Sequence, residues 1–218
     1  MFVSLRMITL PPERAGEGAR EALADALRIA AAGLAGVCSC WIAPVSPIAV
    51  INAGHVVWRM GFASEAEALA APLDPLWRQH IAPLLEGTQV TGVGYRITQS
   101  AVQKRGSGIW RALVFRVMPQ GFPHGVRALE EGLLRLPRYM GVIRSWALSP
   151  VSVVEGTKGY THVWEQEFDS LDGLTGEYMR HPVHWGLADA FFDAECPEYI
   201  VDPHLIQVVG AIDATIME

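Results

Sequence analysis

Apolar and polar positions alternate along FVSLRMITLPPE (2–13), with one arginine inside the run and prolines closing it. The same pattern returns in RALVFRVMPQGF (111–122). Period-two alternation predicts a strand. EGAREALADALRIAAAGLAG follows the first strand; Leu23, Leu27 and Leu34 fall on one side of a helix, and Gly36 is a natural stop. Further strands are expected at 36–44, 54–62 and 88–97, and again at 111–118, 141–148, 159–168 and 204–210. Second helices should open after Ser64 and Ser170, each with an acidic residue close behind, as a helix N-terminus prefers.

The pattern runs twice. GLAGVCSCWIAPV (33–45) pairs with PRYMGVIRSWALSPV (137–151), and GHVVWRMGFASEAEAL (54–69) with YTHVWEQEFDSLDGL (160–174). The offset is 105 to 106 residues there and about 110 for the first strands, which points to tandem duplication. Each unit reads β-α-β-β-α-β, the ferredoxin-like split motif, with both helices on one face of an antiparallel sheet. The other face of each sheet needs a cover, and the second unit supplies it. The expected fold is therefore α+β: two ferredoxin-like units packed sheet to sheet as an intramolecular barrel. The expected division is a first unit over 1–98, a polar linker over 99–110 and a second unit over 111–218.

Composition narrows the function classes. Half of the 218 residues are hydrophobic and 18% are charged, so a large core is available. A net charge of −6 without a basic run disfavours nucleic acid as a partner. The longest apolar stretches are too short to span a membrane, and MFVSLRMITLPPER does not read as a signal peptide, so a soluble cytoplasmic protein is expected. Cys38 and Cys40 on one strand face would stand about 6.5–7 Å apart, at the edge of disulfide reach. With Cys196 they read as small buried thiols. The seven tryptophans read as core, some of them lining an apolar cavity.

Candidate chemistry gathers in GEYMRHPVHW, where Tyr178, His181 and His184 are spaced by three and three. On a helix that spacing puts all three on one broad face, but Pro182 kinks or restarts the helix between them. A neutral histidine can accept a proton near pH 7, and a tyrosine can hydrogen-bond a developing enolate oxygen. The bland readings are a histidine that caps backbone freed by Pro182 and a tyrosine that only packs. His162 alternates with Tyr160, Trp164 and Phe168 on one strand face, where a core or pocket-lining place suits it. No H-x-E-x-H or carboxylate-flanked spacing supports zinc or iron, and no histidine stands out as a haem ligand.

The second unit resembles the dimeric α+β barrel, or stress-responsive A/B barrel, family. LVFRVMP (113–119), MGVIRSW (140–146), GYTHVWEQEFDS (159–170) and YMRHPVHWGLADAFF (178–192) carry the resemblance, which covers roughly 111–210 and stands nearest to the plant polyketide cyclases. It implies units paired sheet against sheet, here as a pseudo-dimer within one chain with room for a further homodimer. It also implies Tyr178 and His184 as the catalytic pair, acting without a cofactor on a small enolisable aromatic or polyketide-like molecule. His162, Trp164, His181 and Phe115 would line the substrate site, and no metal is expected. The alternative is a non-catalytic stress-responsive or small-ligand-binding barrel. One departure stands out: the cyclases carry a histidine early in the first strand, where this chain reads WRAL with Arg111 or Ala112. The first unit has APLDPLWRQH at the matching place, with His80 but no tyrosine, so one site is expected rather than two.

Overall fold

A computed structural model describes all 218 residues, the Glu17 side chain excepted. The first half holds β1 (Phe2–Thr9), α1 (Glu17–Ala31), β2 (Val37–Pro44), β3 (Val56–Phe62), α2 (Glu65–Ala70), α3 (Ala82–Leu85) and β4 (Gln89–Arg96). A π-helical stretch, Trp77–Ile81, leads into α3. The second half holds β5 (Gln99–Ala101), β6 (Gly108–Phe115), α4 (His124–Tyr139), β7 (Ile143–Glu155), β8 (His162–Phe168), α5 (Pro182–Leu187) and β9 (Ile206–Ile212).

The strands form one antiparallel sheet in the order β2-β3-β1-β4-β7-β8-β6-β9, with β5 beside β7. The long β7 joins the halves: Ile143–Pro150 pairs with β8, while Val151–Glu155 pairs with β4. The ends of the sheet also meet, since Ser46 N donates to Val209 O at 2.8 Å. The Trp41 ring lies so close over Gly210 that a Cβ there would sit 2.5 Å from it. Residues 99–110, expected as a linker, hold β5 and the first residues of β6.

Three cores follow from this closure. The inner one takes Val3, Leu5, Met7 and Val93 from the first half and Trp110, Ala112, Val163 and Val208 from the second. The outer two lie under the helices, one around Leu27, Trp58 and Ile81, the other around Leu133, Trp164 and Tyr178. The fold is thus the α+β architecture expected, two helix-covered half-sheets facing each other around a shared interior. Strands covered on both faces have no solvent-facing side: every residue of β3 and of β8 is buried, their charged and amide side chains included.

Local signals explain the helix boundaries. Ser64 and Glu67 form a reciprocal capping box at the start of α2. The chain after Ser170 winds through a π-helical segment, Gly173–Tyr178, and breaks at His181; α5 restarts with Pro182 in its first turn, where a missing N–H costs nothing.

Two expectations need correction. Cys38 and Cys40 are exposed residues with free thiols rather than buried ones, because β2 ends the sheet path, although Cys40 Sγ still accepts from Trp58 Nε1 at 3.3 Å; Cys196 is half-buried. Trp185 is 62% exposed on α5 and is not core. Among the described residues no helix is long and apolar enough to cross a membrane.

Candidate functional site

The strand β6 sends alternate residues to opposite faces. Trp110, Ala112 and Val114 enter the inner core, while Arg111, Leu113 and Phe115 point toward the helices. Arg111 is 3% exposed. Its Nε donates to Gln207 Oε1 of β9 at 2.9 Å, and its Nη1 to Gln166 Oε1 of β8 at 2.5 Å. Nη1 also reaches Tyr178 Oη at 3.4 Å, and the guanidinium carbon stands 5.4 Å from the centroid of that ring. Nη2 donates to Gln207 Oε1 as well. Among the described residues, no carboxylate bonds this arginine. A buried cation held by two amides and a phenol is unusual, since buried charges are generally paired.

Beside it is a cavity of about 160 Å³, lined by Arg111, Leu113, Trp164, Tyr178, His184 and Gln207 among others. Tyr178 ends the π-helical turn and His184 lies in α5; their rings meet edge to face with centroids 4.6 Å apart. Both are buried. His184 Nδ1 lies 3.2 Å from Asp189 Oδ1. The two atoms are close enough for a charge contact but not aligned for a hydrogen bond, and among the described residues Nδ1 has no other partner. Trp164 Nε1 and Gln166 Nε2 are likewise buried without a hydrogen-bond partner among the described residues. Two of these atoms, on His184 and Trp164, belong to residues of the cavity wall and mark a place where a polar ligand would repay its own desolvation.

The other residues singled out in the sequence fall around this cavity rather than on its wall. His162 Nδ1 contacts Thr161 Oγ1 at 2.7 Å, and its Nε2 lies 3.3 Å from Glu130 Oε1 of α4. Its ring stacks on Phe115 at 5.2 Å. Burial lowers the His162 pKa, with Glu130 opposing that shift. Phe115 also packs edge to face on Phe192, which does line the cavity. His181 is the N-cap of α5, where its Nδ1 accepts from Val183 N at 3.1 Å. Arg111 was visible only as a departure from the cyclase pattern; Gln166, Gln207 and Asp189 went unread.

Among the described residues the first half has no equivalent of the Arg111, Tyr178 and His184 group. The space between α1 and the helical stretch around residue 80 is an apolar groove lined by Ile29, Gly33, Leu76, His80 and Leu84. No cluster of His, Cys, Asp and Glu suited to a metal occurs among the described residues.

No curated protein matches the chain. Among solved structures, an anthrone oxidase-like protein matches with a TM-score of 0.71 at 15% identity, covering 97% of this chain and 90% of that one. A candidate monooxygenase of Fusobacterium nucleatum gives 0.61 at 6% identity, covering 99% and 94%. Another from Lactobacillus acidophilus gives 0.55 at 6%, covering 100% and 99%. These likenesses establish the fold over the whole chain. Residues 109–202, which carry nearly all of the candidate site, match the model of the stress responsive A/B barrel domain.

Proposed function

We propose that the second half is an enzyme acting by general acid–base chemistry on a small enolisable aromatic or polyketide-like molecule, with His184 as base and Tyr178 as the donor to the enolate oxygen. Arg111 is the observation that carries this reading: a buried cation without a carboxylate, on the wall of a cavity it shares with a phenol and an imidazole. An anionic oxygen in the cavity would supply the missing counter-charge, and it would do so most strongly as the enolate develops.

In this reading His184 takes a proton from the carbon next to the substrate carbonyl. The electron pair of the breaking C–H bond moves into the C–C–O system, and the negative charge collects on oxygen. Tyr178 donates its O–H to that oxygen while Arg111 donates to Tyr178 Oη, which strengthens the phenol as a donor. Asp189 Oδ1 stands 3.2 Å from His184 Nδ1, on the ring that takes the proton. Ring closure, bond cleavage or oxidation can each follow from an enolate, and the reading assigns no cofactor to the step these share. The names of the structural neighbours, an anthrone oxidase-like protein and two candidate monooxygenases, accord with an enzyme acting on a small molecule. Size adds a limit: an engineered cavity of about 150 Å³ accepts benzene, so this one suits a single ring.

The competing reading is a binding protein that uses the same cavity without turnover. Proton exchange separates the two. Acetophenone incubated with the protein in heavy water should exchange its methyl protons faster than in buffer, as followed by NMR. His184→Ala should remove that rate while leaving binding of 4-nitrophenol in place. Binding of 4-nitrophenol by the wild type with no catalysed exchange would favour the binding protein.

A further inference from the structure

The first half lacks the site residues yet reaches into the second half's cavity. The segment between β2 and β3 crosses over so that Ile51 and Gln207 exchange backbone hydrogen bonds, Ile51 N to Gln207 O at 2.9 Å and Gln207 N to Ile51 O at 2.8 Å. Asn52 Nδ2 donates to Leu205 O at 2.9 Å. Ala49 and Val50 pack against the core under α4 and α5. Ile51 itself lines the cavity. Ala49 and Asn52 hold φ of 59° and 51°, a left-handed conformation that asparagine tolerates but that alanine adopts only when its surroundings impose it.

One contact gives this segment a role beyond packing. Gln207 Nε2 donates to Ala49 O at 2.7 Å. An amide can turn either end toward a neighbour, but with its nitrogen committed to that carbonyl, its oxygen must face Arg111. Oε1 does so, accepting from both Nε and Nη2 of Arg111. The chain of contacts runs from Ala49 O through Gln207 and Arg111 to Tyr178 Oη.

We propose that Ala49–Asn52 of the first half completes the second half's cavity, with Ile51 setting the size of ligand it accepts and Ala49 O positioning Arg111 through Gln207. This rests on the reading of the cavity as an oxyanion site. It gives the first half a function that its lack of a Tyr178–His184 pair does not exclude: it is one wall of its neighbour's site. Ile51 is a specificity determinant and Gln207 a positioning residue.

Two coloured phenols test the proposal on the whole chain: 4-nitrophenol with one ring and 6-nitro-2-naphthol with two. Both report by absorbance whether the bound molecule is the phenol or the phenolate. Wild type should bind the one-ring probe as phenolate and discriminate against the two-ring probe. Ile51→Ala should relax that discrimination by about tenfold, the scale of one apolar contact in a pocket. Ile51→Val should give a smaller change of the same sign. Asn52→Gly keeps the left-handed backbone and removes only the tether to Leu205; the fraction of bound 4-nitrophenol in the phenolate form should fall. Ile48→Ala, exposed in the same loop and off the cavity wall, should match wild type on both counts. Unchanged discrimination in Ile51→Ala together with unchanged ionisation in Asn52→Gly would overturn the proposal and leave the oxyanion reading standing. Failure of the wild type to bind the phenolate at all would overturn both.

Discussion

Arg59 and Glu165, 106 residues apart, meet in the shared interior of the barrel, Nε to Oε1 at 2.7 Å, with both side chains fully buried. The separation equals the offset at which the two halves of the sequence match, so the pair joins equivalent positions of β3 and β8. Two identical units facing each other would oppose like charges here. In this chain the positions differ and the charges attract, which favours pairing of the first half with the second over pairing of either with its own kind. Burial works against the Arg59 charge, yet Glu165, with Tyr95 and Glu167 beside it, outweighs that effect and holds the pKa above the ordinary arginine value.

The pair should therefore behave as a buried ion pair does. Arg59→Met leaves Glu165 buried with Trp110 Nε1 as its remaining donor, and should cost about 3–5 kcal/mol in urea unfolding. Replacing both, Arg59→Met with Glu165→Leu, should cost clearly less than the single change. A double variant as unstable as the sum of the singles would show that the two residues do not act as a pair.

Gly132 of α4 faces the carbonyl of Leu187, the last residue of α5; a Cβ there would lie 2.4 Å from that oxygen. The obstacle is backbone, so Gly132→Ala can be accommodated only by moving α5, which carries His184. Overpacking of this kind costs about 1–3 kcal/mol. Thermal unfolding should register that loss, and 4-nitrophenol binding should weaken with it. Gly141→Ala, with open space around the added carbon, is the control and should do neither.

His162 supplies a pH dependence. Burial favours its neutral form, so its pKa in the folded protein lies below the ordinary value of about 6.5 that the unfolded chain shows. As the pH falls through that value the unfolded chain takes up a proton that the folded one resists, and stability declines until the folded pKa is passed. His55, lowered by burial and by Arg20, adds a similar slope. Urea midpoints between about pH 7 and about pH 5 should fall with pH in wild type and fall less steeply in His162→Phe. Equal slopes would place the acid sensitivity elsewhere.

Much of the architecture was legible in the sequence because it rests on short-range signals. The alternation in FVSLRMITL, the Ser64–Glu67 capping box and the Pro182 break each act within a few residues of where they are written. The candidate site was legible only in part. Tyr178 and His184 stand in a recognisable run, but Arg111, Gln166 and Gln207 are single polar residues within apolar strands on three different segments. Nothing local says that β6, β8 and β9 will place them side by side. An arginine in WRALVF and a glutamine in IQVVG were nevertheless open hints, since a polar residue in a buried strand usually has a partner waiting. The exposure of Cys38 and Cys40 had no such hint, because it depends on β2 lying at the end of the sheet.

The sharpest prediction separates the three groups around the cavity by what each would do to an enolate. Tyr178→Phe keeps the ring that packs on Phe168 and His184 and removes only the hydroxyl, so the fold should hold. Catalysed exchange of acetophenone protons should fall about 10²-fold, the scale of losing one oxyanion donor. Arg111→Met should weaken binding of 4-nitrophenolate more than that of the neutral phenol, because the cation is what distinguishes them. His184→Ala should leave that preference intact while abolishing exchange, since in this reading the imidazole moves the proton and does not hold the anion. His80→Ala, exposed on the apolar groove of the first half, should leave both measurements at wild-type values. Should Tyr178→Phe and His184→Ala both exchange protons at the wild-type rate, their rings would be packing groups only, and the buried Arg111 would need another explanation.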